Sequence, residues 1–493
     1  MATLDKLYYV NVGPAGTFKP SGNSQFDSTP QDVDKIFENL QQKNRKKIVL
    51  YFHGGLVNQN AGMGTAERIT RYINTNTDAH PISFVWETGF IETIKQNIEI
   101  IHSTTFFKKL LEKIIKVAGK KLGIDVDTGI GKRGVGNLSY PEIRVELNTE
   151  APFDDYTVNT GTRAATMVKD NLSNELELEV DAELEEEIQS DAEFLKIVEN
   201  ETQEIQFLDP DKIEIIGDEG RRGILSTAKL IKAAVVITIR VIKRHLKNRD
   251  HGFYPTIIEE IKRELYLADF GAWLWNAMKE KSEHMWLEDE QGAGGLNIKA
   301  GNYLVGKLKA YCDANNNVTI DLVGHSAGSI AICNLIKQIS SRNINLPIRN
   351  IIFMAPACRC ELFHESIFKN KDKFKSFRMF TMEDELEKKD RLVPVLYTRS
   401  LLYLVSGALE DKGVSSDAFI FGLQRHIKGK APYTEFDILN DITGFLNEDK
   451  NRSIYSLSKE DALDGFKTQS KKHGDFDNDG EPTLDSIVHL IKQ

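Results

Sequence analysis

The sequence predicts an α/β protein with a mostly parallel sheet and helices on both of its faces, and three observations predict it. Short runs rich in Val, Ile, Leu and Phe recur along the chain and are separated by stretches of helical patterning. Several of these runs are apolar throughout rather than alternating, as strands covered on both faces are. One of them, Val318 to Val323, ends in Gly324-His325-Ser326-Ala327-Gly328 and passes directly into the apolar helical run Ser329 to Ile336.

The elements follow in order. Leu7 to Val12 is expected as an antiparallel edge strand, and Lys47 to Phe52 as a buried strand that runs into His53-Gly54-Gly55-Leu56-Val57. Pro81 to Glu87 reads as the next strand, and then comes the one that ends at Gly324. Asn350 to Pro356, Phe377 to Met382 and Arg452 to Leu457 complete the set, and a terminal helix begins near Thr483. Alternating strands and helices of this kind place active-site loops at the carboxyl ends of the strands.

Two of those ends carry chemistry. G-x-S-x-G between a strand and a helix holds its serine on a strained turn with the hydroxyl projecting, and the small flanking residues let the helix lie close to the strand. His-Gly-Gly after a strand resembles the oxyanion loop of α/β-hydrolases, whose glycines let backbone N–H groups face a reacting carbonyl with no side chain in the way. Together these places resemble the α/β-hydrolase family, and the core they mark covers about residues 40–100 and 262–493. The resemblance implies a serine nucleophile at Ser326 and an oxyanion hole from the N–H groups of Ala327 and of Gly55 or Leu56. The surrounding motif residues are His53, Gly54, Gly324, His325 and Gly328. It also implies an acid and then a histidine downstream of the serine. Among His364, His426, His473 and His489, only His473 follows the last strand by a polar stretch and precedes the terminal helix, like the family's histidine loop. For the acid, Asp384 stands immediately after a strand, whereas Asp390 opens Asp390-Arg391-Leu392-Val393-Pro394, similar to the D-x-x-V-P acid loop of many hydrolases. Asp384 is the first choice and Asp390 the alternate, with Glu385 or solvated acids as the remaining reading.

The chain departs from a minimal member of that family between Trp86 and Ser326. The reading is therefore an N-terminal part of the core at 1–99, an inserted, mainly helical cap or lid at 100–261, and the C-terminal part of the core at 262–493. Within the insert, Phe106 to Lys116 repeats apolar pairs with lysines between them, and Asn174 to Glu187 is an acidic run. Leu230 to Ile242 is the most apolar stretch, too short and interrupted to span a bilayer. One reading makes the insert a lid that touches a lipid surface through the basic helix. In the other, the helices pack on the core and the acidic run docks on the basic helix or faces water. Trp273, Trp275 and Met278 are expected in the core.

Composition narrows the classes. A net charge of −10 argues against a nucleic-acid partner. Four cysteines are too few and scattered for a disulfide framework or a metal site, and the first ten residues lack a secretory pattern, so the expected location is the cytoplasm. Neither a Walker A loop nor an H-E-x-x-H pair occurs. Asp475, Asp477, Asp479 and Gly480 spell the opening of a calcium loop, but Ser486 stands where a bidentate glutamate belongs and Pro482 interrupts it. The favoured reading is a loop whose Asp and Thr side chains cap the terminal helix, with no metal. The expected function is thus a cofactor-independent serine esterase, acting on a small or lipid ester through an acyl-enzyme on Ser326, with lipases and phospholipases in view. The alternatives are an amidase, thioesterase or peptidase with the same triad, or a non-catalytic scaffold that binds a partner through the insert.

Overall fold

Seven strands form one sheet in which every neighbouring pair is parallel: β1 (Tyr9–Val12), β2 (Lys47–Phe52), β3 (His80–Trp86), β4 (Thr319–His325), β5 (Ile348–Met354), β6 (Phe374–Met382) and β7 (Ser453–Ser456). Their order is β1-β3-β2-β4-β5-β6-β7. The structure, a computed structural model, describes residues 4–493 apart from 22, 55–57, 87–90, 128–131, 159–173, 200–207, 209–226, 267 and 411–415. The edge strand at the N-terminus is parallel, not antiparallel as expected. It pairs with β3 from Tyr9↔Ser83 to Val12↔Trp86, and the chain leaves it through the helix Pro30–Gln42, a crossover rather than a hairpin.

Both faces of the sheet are covered, which is why its central strands are apolar throughout. Val49 and Tyr51 of β2 join Ile69 and Ile73 of the helix Gln59–Asn76 and Leu484, Ile487 and Ile491 of the helix Pro482–Lys492 in one buried cluster. The alternate residue Phe52 stacks on Phe84 of β3 and packs against Trp286, whose indole N–H donates to the Ala331 carbonyl in the helix Gly328–Ser341. The terminal helix starts at Pro482 with Glu481 in the capping position and no side-chain cap. The expected Asp or Thr cap is not formed, because Glu481 holds the capping position and Thr483 lies inside the first turn with its hydroxyl turned to Thr468.

The chain divides into two compact units. One comprises residues 1–93, 274–390 and 419–493 and holds the seven-stranded sheet; the other comprises 94–273 and 391–418. The second thus takes in 391–418, a stretch expected in the C-terminal core, because its apolar run Leu401–Leu409 is buried and Gly407 lies against the Glu259 side chain of the helix Phe253–Leu265. In this unit the helices Thr105–Leu122, Asn174–Gln189, Thr227–Leu246 and Phe253–Leu265 pack together beside a three-stranded antiparallel sheet.

The acidic run docks on the basic helix. Lys109 and Lys113 reach Asp191 at 3.1 and 3.0 Å, Lys116 reaches Glu187 at 2.6 Å, and Lys121 reaches Glu179 and Glu183 at 2.9 Å. Phe106, Phe107, Leu110, Leu111, Ile114 and Ile115 are all buried. Of the two readings of this helix, packing accounts for its buried apolar pairs and for the pairing of Lys109, Lys113 and Lys116 with acidic side chains. Among the described residues no helix is long and apolar enough to cross a membrane. Trp275 and Met278 are buried as expected, but Trp273 is 61% exposed. Residues two positions apart on a helix are about 200° apart around its axis, so Trp273 and Trp275 cannot share a face.

Candidate active site

The turn after β4 is built by close backbone packing. A Cβ on Gly328 would lie 2.2 Å from the Phe52 carbonyl oxygen, and one on Gly324 would lie 2.9 Å from the Gly328 backbone, so neither position admits a side chain. Ser326 adopts a left-handed φ of +50°, a conformation that costs a non-glycine residue about 1–3 kcal/mol. The cost is met by anchors to the end of β5 and the segment after it: the Ser326 N–H donates to the Met354 carbonyl at 2.8 Å, and the Ala357 N–H donates to the Ser326 carbonyl at 3.1 Å. Ser329, not singled out in the sequence, adds a third anchor: its hydroxyl donates to the Ser326 carbonyl and accepts from the Cys358 N–H.

Ser326 Oγ lies 2.8 Å from Nε2 of His473, and both residues are buried. Burial, reinforced by the neighbouring His325 and opposed by Asp477, lowers the His473 pKa to about 3. The imidazole is therefore neutral at physiological pH and can accept the serine proton. The backbone N–H of Ala327 opens the first turn of the helix Gly328–Ser341, where helical N–H groups have no partner within the helix. Gly55 and Leu56, the expected second source of an oxyanion N–H, lie outside the described residues.

No protein-family model matches the chain, and no curated protein or solved structure matches it either.

His53 has a structural role. Its Nε2 accepts the Trp86 N–H at 3.2 Å, so Nδ1 carries the proton and donates to the Gly54 carbonyl; the ring stacks on Trp86 at 4.4 Å. Burial lowers its pKa to about 4. It thereby fixes Gly54 beside the serine turn, where a Cβ would lie in van der Waals contact with the Ser326 Cβ at 3.4 Å.

The first-choice acid is not at the histidine. Asp384 begins the helix Asp384–Lys389, where its carboxylate pairs with Lys388 one turn on at 3.0 Å, while its N–H donates to Gln424. The alternate, Asp390, does reach His473, but through the backbone: its Oδ2 accepts the His473 N–H at 2.7 Å. Nδ1 of His473 has no hydrogen-bond partner among the described residues.

The sequence reading missed the role of a second cluster beside the first. Asp477 accepts the Tyr51 hydroxyl at 2.6 Å, pairs with Arg68 at 3.2 Å and lies 3.3 Å from Nδ1 of His325. Burial alone would raise its pKa, but the His325, Arg68 and Tyr51 groups outweigh burial and hold the carboxyl below the usual carboxylate range. Asp477 was legible only as part of the calcium-like run. In the structure the three aspartates of that run turn apart, with Asp475 accepting the Lys472 N–H and Asp479 pairing with Arg71.

Proposed function

We propose that the chain is a serine hydrolase of the α/β-hydrolase kind that cleaves carboxylic esters through an acyl-enzyme on Ser326. The observation that carries this reading is the 2.8 Å contact of Ser326 Oγ with a neutral, buried His473 on a turn held at positive φ. The parallel sheet and the place of the serine at the carboxyl end of β4 support it.

In the proposed reaction His473 Nε2 takes the Ser326 proton as Oγ bonds to the substrate carbonyl carbon. The carbonyl oxygen becomes an oxyanion facing the Ala327 N–H. Collapse of the tetrahedral species breaks the bond to the alcohol, which leaves with the proton from His473. Water, deprotonated by the same imidazole, then attacks the acyl-enzyme and releases the acid, restoring Ser326. Asp390 contributes by holding the His473 backbone. No cofactor enters this scheme.

The test is hydrolysis of p-nitrophenyl esters of increasing acyl length by purified protein. Ser326→Ala is expected to lose the activity by at least about a thousandfold while its circular dichroism and unfolding midpoint stay near wild type. An alanine variant that turns over at the wild-type rate would place the nucleophile elsewhere. The chain-length series also separates a soluble-ester enzyme from one that prefers lipid esters.

A further inference from the structure

His325 occupies the variable position of the serine turn, where the chemistry above asks nothing of it. Yet its ring is buried and both nitrogens are engaged: Nε2 lies 3.0 Å from the carbonyl oxygen of His473, and Nδ1 lies 3.3 Å from Oδ2 of Asp477. A carbonyl oxygen and a carboxylate only accept. An imidazole set between two acceptors satisfies both only when both nitrogens carry protons, so this placement favours an imidazolium. Its ring centre lies 5.5 Å from that of His473.

We propose, resting on the assignment of Ser326 and His473 above, that His325 is a positioning residue: a buried imidazolium that ties the carbonyl of His473 to the serine turn and holds the neighbouring base in its neutral, proton-accepting form. Two adjacent imidazoles cannot both be charged without repulsion, and Asp477 decides which one is. Asp477 is itself fixed by Tyr51 from β2 and by Arg68 from the helix Gln59–Asn76, whose Nε also donates to the Asp477 carbonyl. Neutral His53 is also near the His325 ring, and a Cβ on Gly54 would lie 3.6 Å from its Nδ1. The shifts agree in direction: burial would lower the His325 pKa, but Asp477 and the His473 carbonyl outweigh it and raise the value, while the His473 value falls.

Two measurements on the full-length protein test this. In long-range proton–nitrogen spectra of protein carrying nitrogen-15 histidine, the His325 signals, assigned by their loss in His325→Gln, are expected to show both ring nitrogens protonated at pH 7.5. Asp477→Asn is expected to return that ring to the neutral form. Second, the rate of inactivation by a fluorophosphonate is followed against pH. Glutamine keeps a donor for the His473 carbonyl but removes the charge, so the acid limb of the His325→Gln profile is expected to move up by about 1–2 pH units. A neutral His325 in the wild type, or an unmoved acid limb, overturns the proposal. Should His325→Gln not fold, the His325 signals are those that change in Asp477→Asn, and signals unchanged in that variant overturn it equally. A wild type that the probe does not label overturns the hydrolase reading and this one with it, whereas labelling with a neutral His325 overturns this one alone.

Discussion

Two buried carboxylates, one in each unit, gather the same three partner types. Glu259 takes the Tyr397 hydroxyl at 2.6 Å, Arg244 at 2.7 Å and His251 Nδ1 at 2.9 Å; Asp477 takes Tyr51 at 2.6 Å, Arg68 at 3.2 Å and His325 Nδ1 at 3.3 Å. They differ in what lies beyond the histidine. His325 Nε2 meets the backbone carbonyl of the candidate base, whereas the His251 ring packs edge-on against Tyr403. One set of residue types thus serves two ends. Around Glu259 it neutralises charge inside a helical unit, where Arg244 also meets Glu260. Around Asp477 it passes the constraint on to the candidate base, through the His473 carbonyl. What separates a structural charge cluster from one tied to a site is the next contact outward, not the composition of the cluster.

The comparison breaks most visibly in stability. Glu259→Gln leaves Arg244 buried against a weakened partner set, and a loss of about 3–5 kcal/mol in urea unfolding is expected, with normal fluorophosphonate labelling per folded molecule. Asp477→Asn has Arg68 partly open to water and is expected to cost less stability but to slow labelling by at least about tenfold. Equal stability losses with no change in labelling for either variant would dissolve the distinction. The Glu259 effect carries a pH signature. Burial would raise its pKa, yet His251, Arg244 and Tyr397 lower it to about 2, so its stabilisation is present above the unfolded carboxylate value and is lost as pH falls toward 2.

A smaller effect sharpens the account of the acids. If Asp390 acts only by accepting the His473 N–H, then Asp390→Asn, which keeps a carbonyl acceptor, should retain most of the labelling rate, while Asp390→Ala should lose about tenfold or more. A loss of several orders of magnitude in the asparagine variant would instead mark a carboxylate acting on the imidazole itself. Smallest of all, Asp384→Asn weakens a half-buried ion pair with Lys388 one helical turn away, about 0.3–0.5 kcal/mol, and should leave labelling at the wild-type rate.

The serine turn and the strand before His53 were legible because their determinants are local: two glycines, a serine and an apolar run within a few residues. His473 was legible by elimination, from its place after the last strand. The acids were not, because which carboxylate meets which nitrogen depends on how loops from different strands converge. Asp384 follows a strand end as an acid should, yet a lysine one helical turn away satisfies it. Asp477 was hidden inside a pattern of alternating aspartates that suggested a cation. The allegiance of 391–418 was hidden as well, since a segment flanked by core strands gives no sign in its own residues that it packs against Glu259. The docking of the acidic run on the lysines near 110 was one of two open readings, and complementary charge at helical spacing decided it.

The most direct test of the central claim is peptide mapping by mass spectrometry of the protein inactivated with a fluorophosphonate at neutral pH. The account predicts a single phosphonyl adduct on Ser326, formed at least about a hundredfold more slowly in His473→Ala. An adduct on another residue, or labelling of Ser326 at an unchanged rate without His473, would contradict it.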